Sequence, residues 1–449
     1  MSTATKRGGK ELADLLVVCG DDIVVFSDKS CAFPDTGNLS VNWSRWHRKA
    51  VMGAAEQAWG AERWIKKHPN RLFLDTKCTQ RFPITLPPPS RARFHRVVVS
   101  HNVAEPCRKW LGGSGSLMFR AEIGASPDHP FTIGDLDSRR GFVHVLDDAA
   151  LEIVLGNLDT VSDFVAYLHA KEEFARSGAL GMSAGEEELL AVYLTHCTND
   201  AHHFPVSNRG AKLFVDEGHW KQFQGSPERQ AQNRANEISY TWDQLIATLE
   251  RHALDGTLEF SSHDELQEIE PVLRILAAED RTLRRHLSEE LIGLLKAPIA
   301  PERPFNARVI ASRESRNPAY VFVSLGEHVA DSREEYRRKR QQLAASYALA
   351  AHHCFPHTEC VVVIATEPLT DPDAERSEDL LLLRKDRCTP AMQTEGRRLY
   401  EEVGLLKTTQ AYASTVSEYP IPFGSARMRH AEHGTAATDP VSRRDRNKP

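Results

Sequence analysis

No stretch of this chain approaches the roughly 20 consecutive apolar residues that a membrane span needs. Its opening, MSTATKRGGKELAD, has no apolar segment of the signal-peptide kind either. The expectation is a soluble, cytoplasmic protein with no membrane partner. Tight cysteine spacing is also missing. The eight cysteines (Cys19, Cys31, Cys78, Cys107, Cys197, Cys354, Cys360, Cys388) are scattered, with no CxxC pair, so no disulfide framework is encoded and the thiols should be reduced. HExxH, GxxxxGK[ST] and the kinase signatures are all absent. Zincin proteases, P-loop nucleotide hydrolysis and kinases therefore have no support. No internal repeat is present.

What is present is globular composition, with 41% hydrophobic and 26% charged residues over 449 positions. That length suits two to four domains at roughly 150 residues each. The net charge of −6 conceals an asymmetry: residues 1–120 carry 19 Lys+Arg against 10 Asp+Glu, a net of +9, and the remainder a net of −15. Five of the seven tryptophans (Trp43, Trp46, Trp59, Trp64, Trp110) fall in the basic end, so a polyanion would bind there.

Two valine-rich runs, 15–18 and 23–26, flank Gly20-Asp21-Asp22 and predict a strand hairpin. Trp46, Val51, Ala54, Ala55, Ala58, Trp59 and Ile65 recur at helical spacing and predict one long amphipathic helix over 44–67. Strands follow at 94–100, 117–123 and 142–146, with a short helix ending at Trp110, which makes 1–150 a compact α/β module. Capping-box pairs at Thr160/Asp163, Ser183/Glu186, Thr241/Gln244 and Ser262/Glu265 predict helices over 160–174, 184–196, 241–254 and 263–278. With another helix at 279–296, the region 151–300 reads as a mainly helical domain. Segments 320–325, 332–352 and 360–366 form a strand-helix-strand unit within 301–412, most simply a parallel pair. The polar tail 413–449 is expected to be disordered. The fold class is α/β, or α+β overall: a mixed sheet with flanking helices, a helical middle and a C-terminal α/β unit.

The sharpest chemistry lies in the opening hairpin. Asp14 stands at the start of the first strand, and Ser27 and Lys29 share one face at the end of the second. The turn at 20–22 brings the acid to the ammonium. A carboxylate that holds Mg²⁺ and a lysine that steadies the attacking water are what metal-assisted phosphodiester hydrolysis requires. The run Asp14-x12-Ser27-Asp28-Lys29, followed by the helix at 44–67 and the strand at 94–100, resembles the PD-(D/E)xK nuclease superfamily over about residues 1–125. The resemblance implies a restriction-endonuclease-like mixed sheet, a Mg²⁺ (or Mn²⁺) cofactor, and a nucleic-acid partner, DNA above all. It also implies a second copy of the chain or a larger complex when both strands are cut.

Two departures bear on the site. The acid of the family's acid-x-Lys triplet is replaced by Ser27, and the family's remedy is a carboxylate on the next helix, here Glu56, with Gln57 beside it. Only 13 residues precede Asp14, too few for the family's full N-terminal helix, and Glu11 would stand in for its acid. The implied assignments are Asp14 as first metal ligand, Glu56 or Glu11 as the second, Lys29 as charge stabiliser and Ser27 as a hydrogen-bonding place-holder. The criterion is geometric: the Glu56 or Glu11 carboxylate must lie within about 5 Å of Asp14 for one Mg²⁺ to bridge them. If both point elsewhere, the better reading is a catalytically inactive nuclease-like subunit that binds nucleic acid or acts as a scaffold. Arg45, Arg48 and Lys49 are candidate phosphate contacts, and Trp43 a base-stacking surface. Trp46, on the apolar face, reads as core.

Weaker signals have ordinary explanations. The His/Cys clusters His196, Cys197, His202, His203 and His352, His353, Cys354, His357, Cys360 match no familiar zinc finger. The GGSGS run at 112–116 reads as a turn, with contact to a DNA backbone as the alternative. Arg333, Arg337 and Arg340 form a basic helical stripe that either touches phosphates or is solvated with i,i+4 salt bridges. Glu367 follows a strand end where ligand sites form in parallel sheets, without a visible partner. The segment GFVHVLDD with NLDTVSDFVAYL is similar to stretches of uncharacterised bacterial proteins and implies no activity.

Overall fold

The structure, a computed structural model, describes residues 4–6, 10–198, 201–205, 211–255, 259–260, 266–311, 317–369, 377–407 and 417–421. The Ser262/Glu265 capping box and all of the 413–449 tail except 417–421 lie outside the described residues. The fold is α/β with mixed sheets, as composition and patterning implied. Among the described residues no helix is long and apolar enough to cross a membrane, and none of the eight cysteines is in a disulfide.

The first sheet is built on the expected hairpin. Strand β1 (Leu15–Cys19) runs antiparallel to β2 (Asp22–Ser30), with Cys19 opposite Asp22. Gly20, at φ +57°, supplies the left-handed conformation that a two-residue turn asks for. The following helix starts earlier than the spacing suggested. Helix α1 (Leu39–Trp46) begins behind Asn38, whose side chain accepts the Val41 N–H. A π-helical stretch, His47–Met52, leads into α2 (Gly53–Lys67).

Strand β3 (Arg93–His101) then pairs parallel with β2, and β4 (Val143–Asp147) parallel with β3. The sheet order is β1-β2-β3-β4. Segments Ala4–Lys6, Lys10–Ala13 and Leu72–Phe73 form a separate small sheet. The strand expected over 117–123 is only Met118–Phe119, because the chain turns into a 3-10 helix at Ala121–Ile123.

Among the helices of this half are α3 (Asp148–Asn157), α4 (Val161–Arg176) and α5 (Glu186–Thr195). Asp147 caps α3 and Thr160 caps α4, its side chain accepting the Asp163 N–H. Helix α5 begins behind Gly185, and the Ser183 hydroxyl donates instead to the Gly185 carbonyl at 2.7 Å. Val154, Phe164, Leu168, Leu189 and Leu190 from these helices share one core with Trp43, Trp46, Val97 and Val98.

Helices α6 (Tyr240–Asp255), α7 (Leu266–Ala277) and α8 (Arg281–Leu295) belong elsewhere. Their Trp242, Leu249, Val272, Leu287 and Leu291 bury against Tyr320, Phe322, Val362 and Ile364 of the second sheet. A separate helical domain over 151–300 is therefore not formed. Each amphipathic helix buries its stripe on the nearer sheet, and the region divides between two cores.

The second sheet contains β5 (Phe305–Ile310), β6 (Ala319–Leu325), β7 (Cys360–Thr366) and β8 (Glu378–Arg384). β6 and β7 are parallel, as handedness suggested, and are joined by α9 (Arg333–Cys354). The basic stripe of α9 turns inward. Fully buried Arg340 donates to Glu367 Oε1 at 2.8 Å and to Asp379 Oδ2 at 2.6 Å, and Arg333 meets Glu367 at 2.9 Å. Glu367 is thus an internal counter-ion rather than a ligand-site acid, and two of the stripe's three arginines are committed to it or to Asp379. Removing one partner of a buried ion cluster leaves the others desolvated and uncompensated. Arg340→Leu should lower the unfolding free energy in a urea titration by about 3–5 kcal/mol, and adding Glu367→Gln and Asp379→Asn should recover part of that loss.

Candidate functional site at the strand ends of the first sheet

The three parallel strands finish together, and their register aligns Lys29, Ser100 and Asp147 in one row across the sheet. Asp14 joins this end. Its N–H donates to the Phe26 carbonyl at 3.1 Å, and its Oδ2 accepts the Asp28 N–H at 2.8 Å. The acid therefore sits against the Ser27–Lys29 backbone as the spacing predicted. Ser27 is buried and donates to Gln57 Oε1 on α2 at 3.2 Å. Lys29 is half-buried, with no ion pair among the described residues.

The two substitute carboxylates are not delivered. Glu56 turns to Arg140, which donates to Oε1 at 2.5 Å and to Oε2 at 3.1 Å. Those hydrogen bonds hold the Glu56 carboxyl below its ordinary range, against a small opposing effect of burial. The same Arg140 guanidinium lies 3.6 Å from the centre of the Trp59 ring. Glu56 thus fastens α2 to the loop before β4, while its neighbour Gln57 faces the hairpin. Glu11 is exposed on the Lys10–Ala13 strand of the small separate sheet. Among the described residues, Asp14, Glu11 and Glu56 form no three-ligand group. Mg²⁺ and Mn²⁺ seek several oxygen ligands, and Asp14 presents one carboxylate, one oxygen of which is already taken by the Asp28 N–H. The residues present do not fit the two-carboxylate centre that the resemblance implies, and no hydrolytic step follows from them.

On the other side of the row stands a constellation the sequence did not single out. His101 Nε2 lies 2.9 Å from Asp28 Oδ1, and its Nδ1 lies 2.6 Å from Asp148 Oδ1. Asp148 Oδ2 accepts the Asn102 N–H at 2.7 Å, and the Asn102 amide reaches Ser30 Oγ at 3.3 Å. Burial alone would lower the His101 pKa, but the flanking Asp148 and Asp28 carboxylates outweigh it and raise the pKa above 6.5. The imidazole is held between two acids at a partly open rim. Beside it, burial lifts the Asp147 carboxyl to about 6, although the Ala150, Leu117 and Ala149 N–H groups stabilise its anion. The usable signal was positional: His101 and Asp148 stand at the carboxyl ends of parallel strands, where α/β ligand sites form.

The residues assigned to nucleic acid divide. Arg45, Arg48 and Lys49 are exposed on α1 and the π-helical stretch. Trp43 is fully buried, stacked on Trp46 with centroids 5.4 Å apart and packed against Phe131. It cannot stack on a base, because the helix turns its indole into the core. Trp46 is core as expected, and its indole N–H donates to the Cys31 and His101 carbonyls at 3.3 Å each. The cationic helix is thereby tied to the strand ends. The GGSGS turn is packed: Ser114 Oγ donates to Glu187 at 2.5 Å, and a side chain at Gly115 would meet the Ala104 carbonyl at 2.5 Å.

Because folding raises the His101 pKa, its stabilising contribution is fully present below its unfolded value and is lost as pH rises through the folded one. The melting-temperature advantage of the wild type over His101→Gln should therefore be larger at about pH 5.5 than at about pH 8.5. An NMR titration of the His101 ring should show a lower pKa in Asp148→Asn. Comparison with family models, curated proteins and solved structures finds no match to this chain, so the reading of the site rests on its geometry.

Proposed function

We propose that residues 1–150 form a nuclease-like module that binds nucleic acid, DNA in the first instance, without a complete hydrolytic metal centre. One observation carries the reading. Arg45, Arg48 and Lys49 are exposed on the helix that Trp46 ties to the His101 carbonyl, at the sheet end where Lys29 lies. Cations grouped in this way neutralise phosphates, and the +9 net charge of residues 1–120 extends the field around them. The module would act as the binding or scaffold part of a homodimer or a larger complex.

A second reading, an active Mg²⁺- or Mn²⁺-dependent nuclease, is favoured by the meeting of Asp14 with the Ser27–Lys29 segment. In that reading Asp14 is the metal-side acid and Lys29 the charge stabiliser. The turned-away Glu56 weighs against it.

Plasmid, linear duplex, single-stranded DNA and RNA are offered to the full chain with Mg²⁺, Mn²⁺ or EDTA. Salt-sensitive binding without cutting is the expected result. Alanine at Arg45, Arg48 and Lys49 should lower the slope of log K against log salt by about 0.9 for each duplex phosphate that these side chains neutralise. Metal-dependent cutting that disappears in Lys29→Ala would overturn the inactive reading in favour of the nuclease. Absence of any salt-dependent binding would sink both.

A further inference from the structure

The hairpin Cys197–Thr198/Ala201–His202 sets Cys197 opposite His202 as cross-strand partners. A third residue reaches them from far along the chain. Segment 417–421 returns to the first half of the molecule. There Tyr419 is buried in the first core and its hydroxyl donates to the Leu194 carbonyl at 3.0 Å. This places Glu418 over the hairpin. One ligand atom each from Cys197, His202 and Glu418 lie within 4.8 Å of one another.

The local chemistry favours a cation over a simple pair. Glu418 Oε2 is 2.6 Å from His202 Nε2, and both ring nitrogens are shielded from solvent. The other carboxylate oxygen accepts the Gln232 amide at 2.5 Å, the kind of outer contact that orients a metal-binding carboxylate. Buried Asp163 adds negative charge nearby. A thiolate, an imidazole and a carboxylate form a mixed set that suits Zn²⁺ and is too soft for Mg²⁺. Three protein ligands leave the fourth tetrahedral position open. His202 and Glu418 line a polar cavity of about 170 Å³, which can supply a water or a small exchangeable ligand there.

We propose that Cys197, His202 and Glu418 bind a zinc-class divalent cation that clasps the returning segment 417–421 to the hairpin. This site is independent of the strand-end site and of its nucleic-acid reading.

The full chain is stripped with a chelator and reloaded with Zn²⁺ or Co²⁺. Uptake of about one Zn²⁺ per chain is expected. X-ray absorption at the zinc edge should show one sulfur at about 2.3 Å among N/O ligands at about 2.0–2.2 Å. Co²⁺ should produce a thiolate charge-transfer band that is lost in Cys197→Ser. Zn²⁺ should raise the melting temperature of the wild type, and Glu418→Gln should weaken zinc at least about tenfold. No uptake, a shell without sulfur, or affinity unchanged in both variants would overturn the proposal and leave a His202–Glu418 ion pair. The absorption measurement uses the wild type alone, so it decides even if a variant fails to fold.

Discussion

Nine register pairs lock β2 to β3, from Asp22 opposite Arg93 to Ser30 opposite His101, and the first sheet and its strand-end cluster hang on that register. Both ends are pinned by charge. At the turn end, Asp22 is held by Arg93 at 2.5 Å and by buried His95 at 2.8 Å. At the other end, His101 spans to Asp28. A slip of one residue would exchange the two faces of β2. It would part Ser27 from Gln57, move Ile23 and Val25 out of the core they share with Ala58 and Ile65, and break the Lys29, Ser100, Asp147 row. Packing on both faces of β2 and the two polar pins therefore specify the same register, an agreement between levels that favours a single fold.

The second sheet uses its polar groups differently. There Arg340, Glu367 and Asp379 are all buried at the carboxyl side of parallel strands and satisfy one another. Such a cluster contributes little net stability beyond what apolar packing would supply, but leaving it half-formed is costly. It selects one seating of α9 on the sheet. In the first sheet the equivalent position holds a histidine and acids that remain about a third exposed to solvent or more. Two parallel-strand ends thus diverge: one is closed by its own counter-ions, and the other keeps charge at the surface where a ligand can meet it.

Local features were readable from the sequence because their causes are local. The Gly20 turn, the Thr160 cap and the strand-helix-strand over 319–366 each depend on neighbouring residues. Azimuth around the long helix was not readable. The stretch His47–Met52 is π-helical, and its i→i+5 bonding shifts the phase of every residue after it. A count at 3.6 residues per turn from Trp46 therefore cannot decide between Glu56 and Gln57, and the structure turns the amide to Ser27 and the acid to Arg140. Trp43 was misread for a related reason: being three residues before Trp46, it shares the same buried stripe. His101 and Asp148 are 47 residues apart and meet only through strand pairing, which no local pattern reports.

The same limit explains why the Cys197 cluster matched no finger spacing, since its third member comes from residue 418. The return of that segment is part of how the two cores are joined. The junction is polar: Arg281 of α8 donates to Asp159 at 2.9 Å, and its N–H to Asp163 at 3.0 Å. Arg285 holds the carbonyl of Glu418 at 3.2 Å. Burial raises the Asp163 carboxyl to about 6, against the Thr160 hydroxyl and the Arg281 N–H that favour its anion. Directional donors and acceptors, rather than apolar area, set how the halves meet here. Arg281, Asp159, Asp163, His202 and Glu418 all border one cavity, so anything bound in it would touch groups from both halves and bias their relative placement.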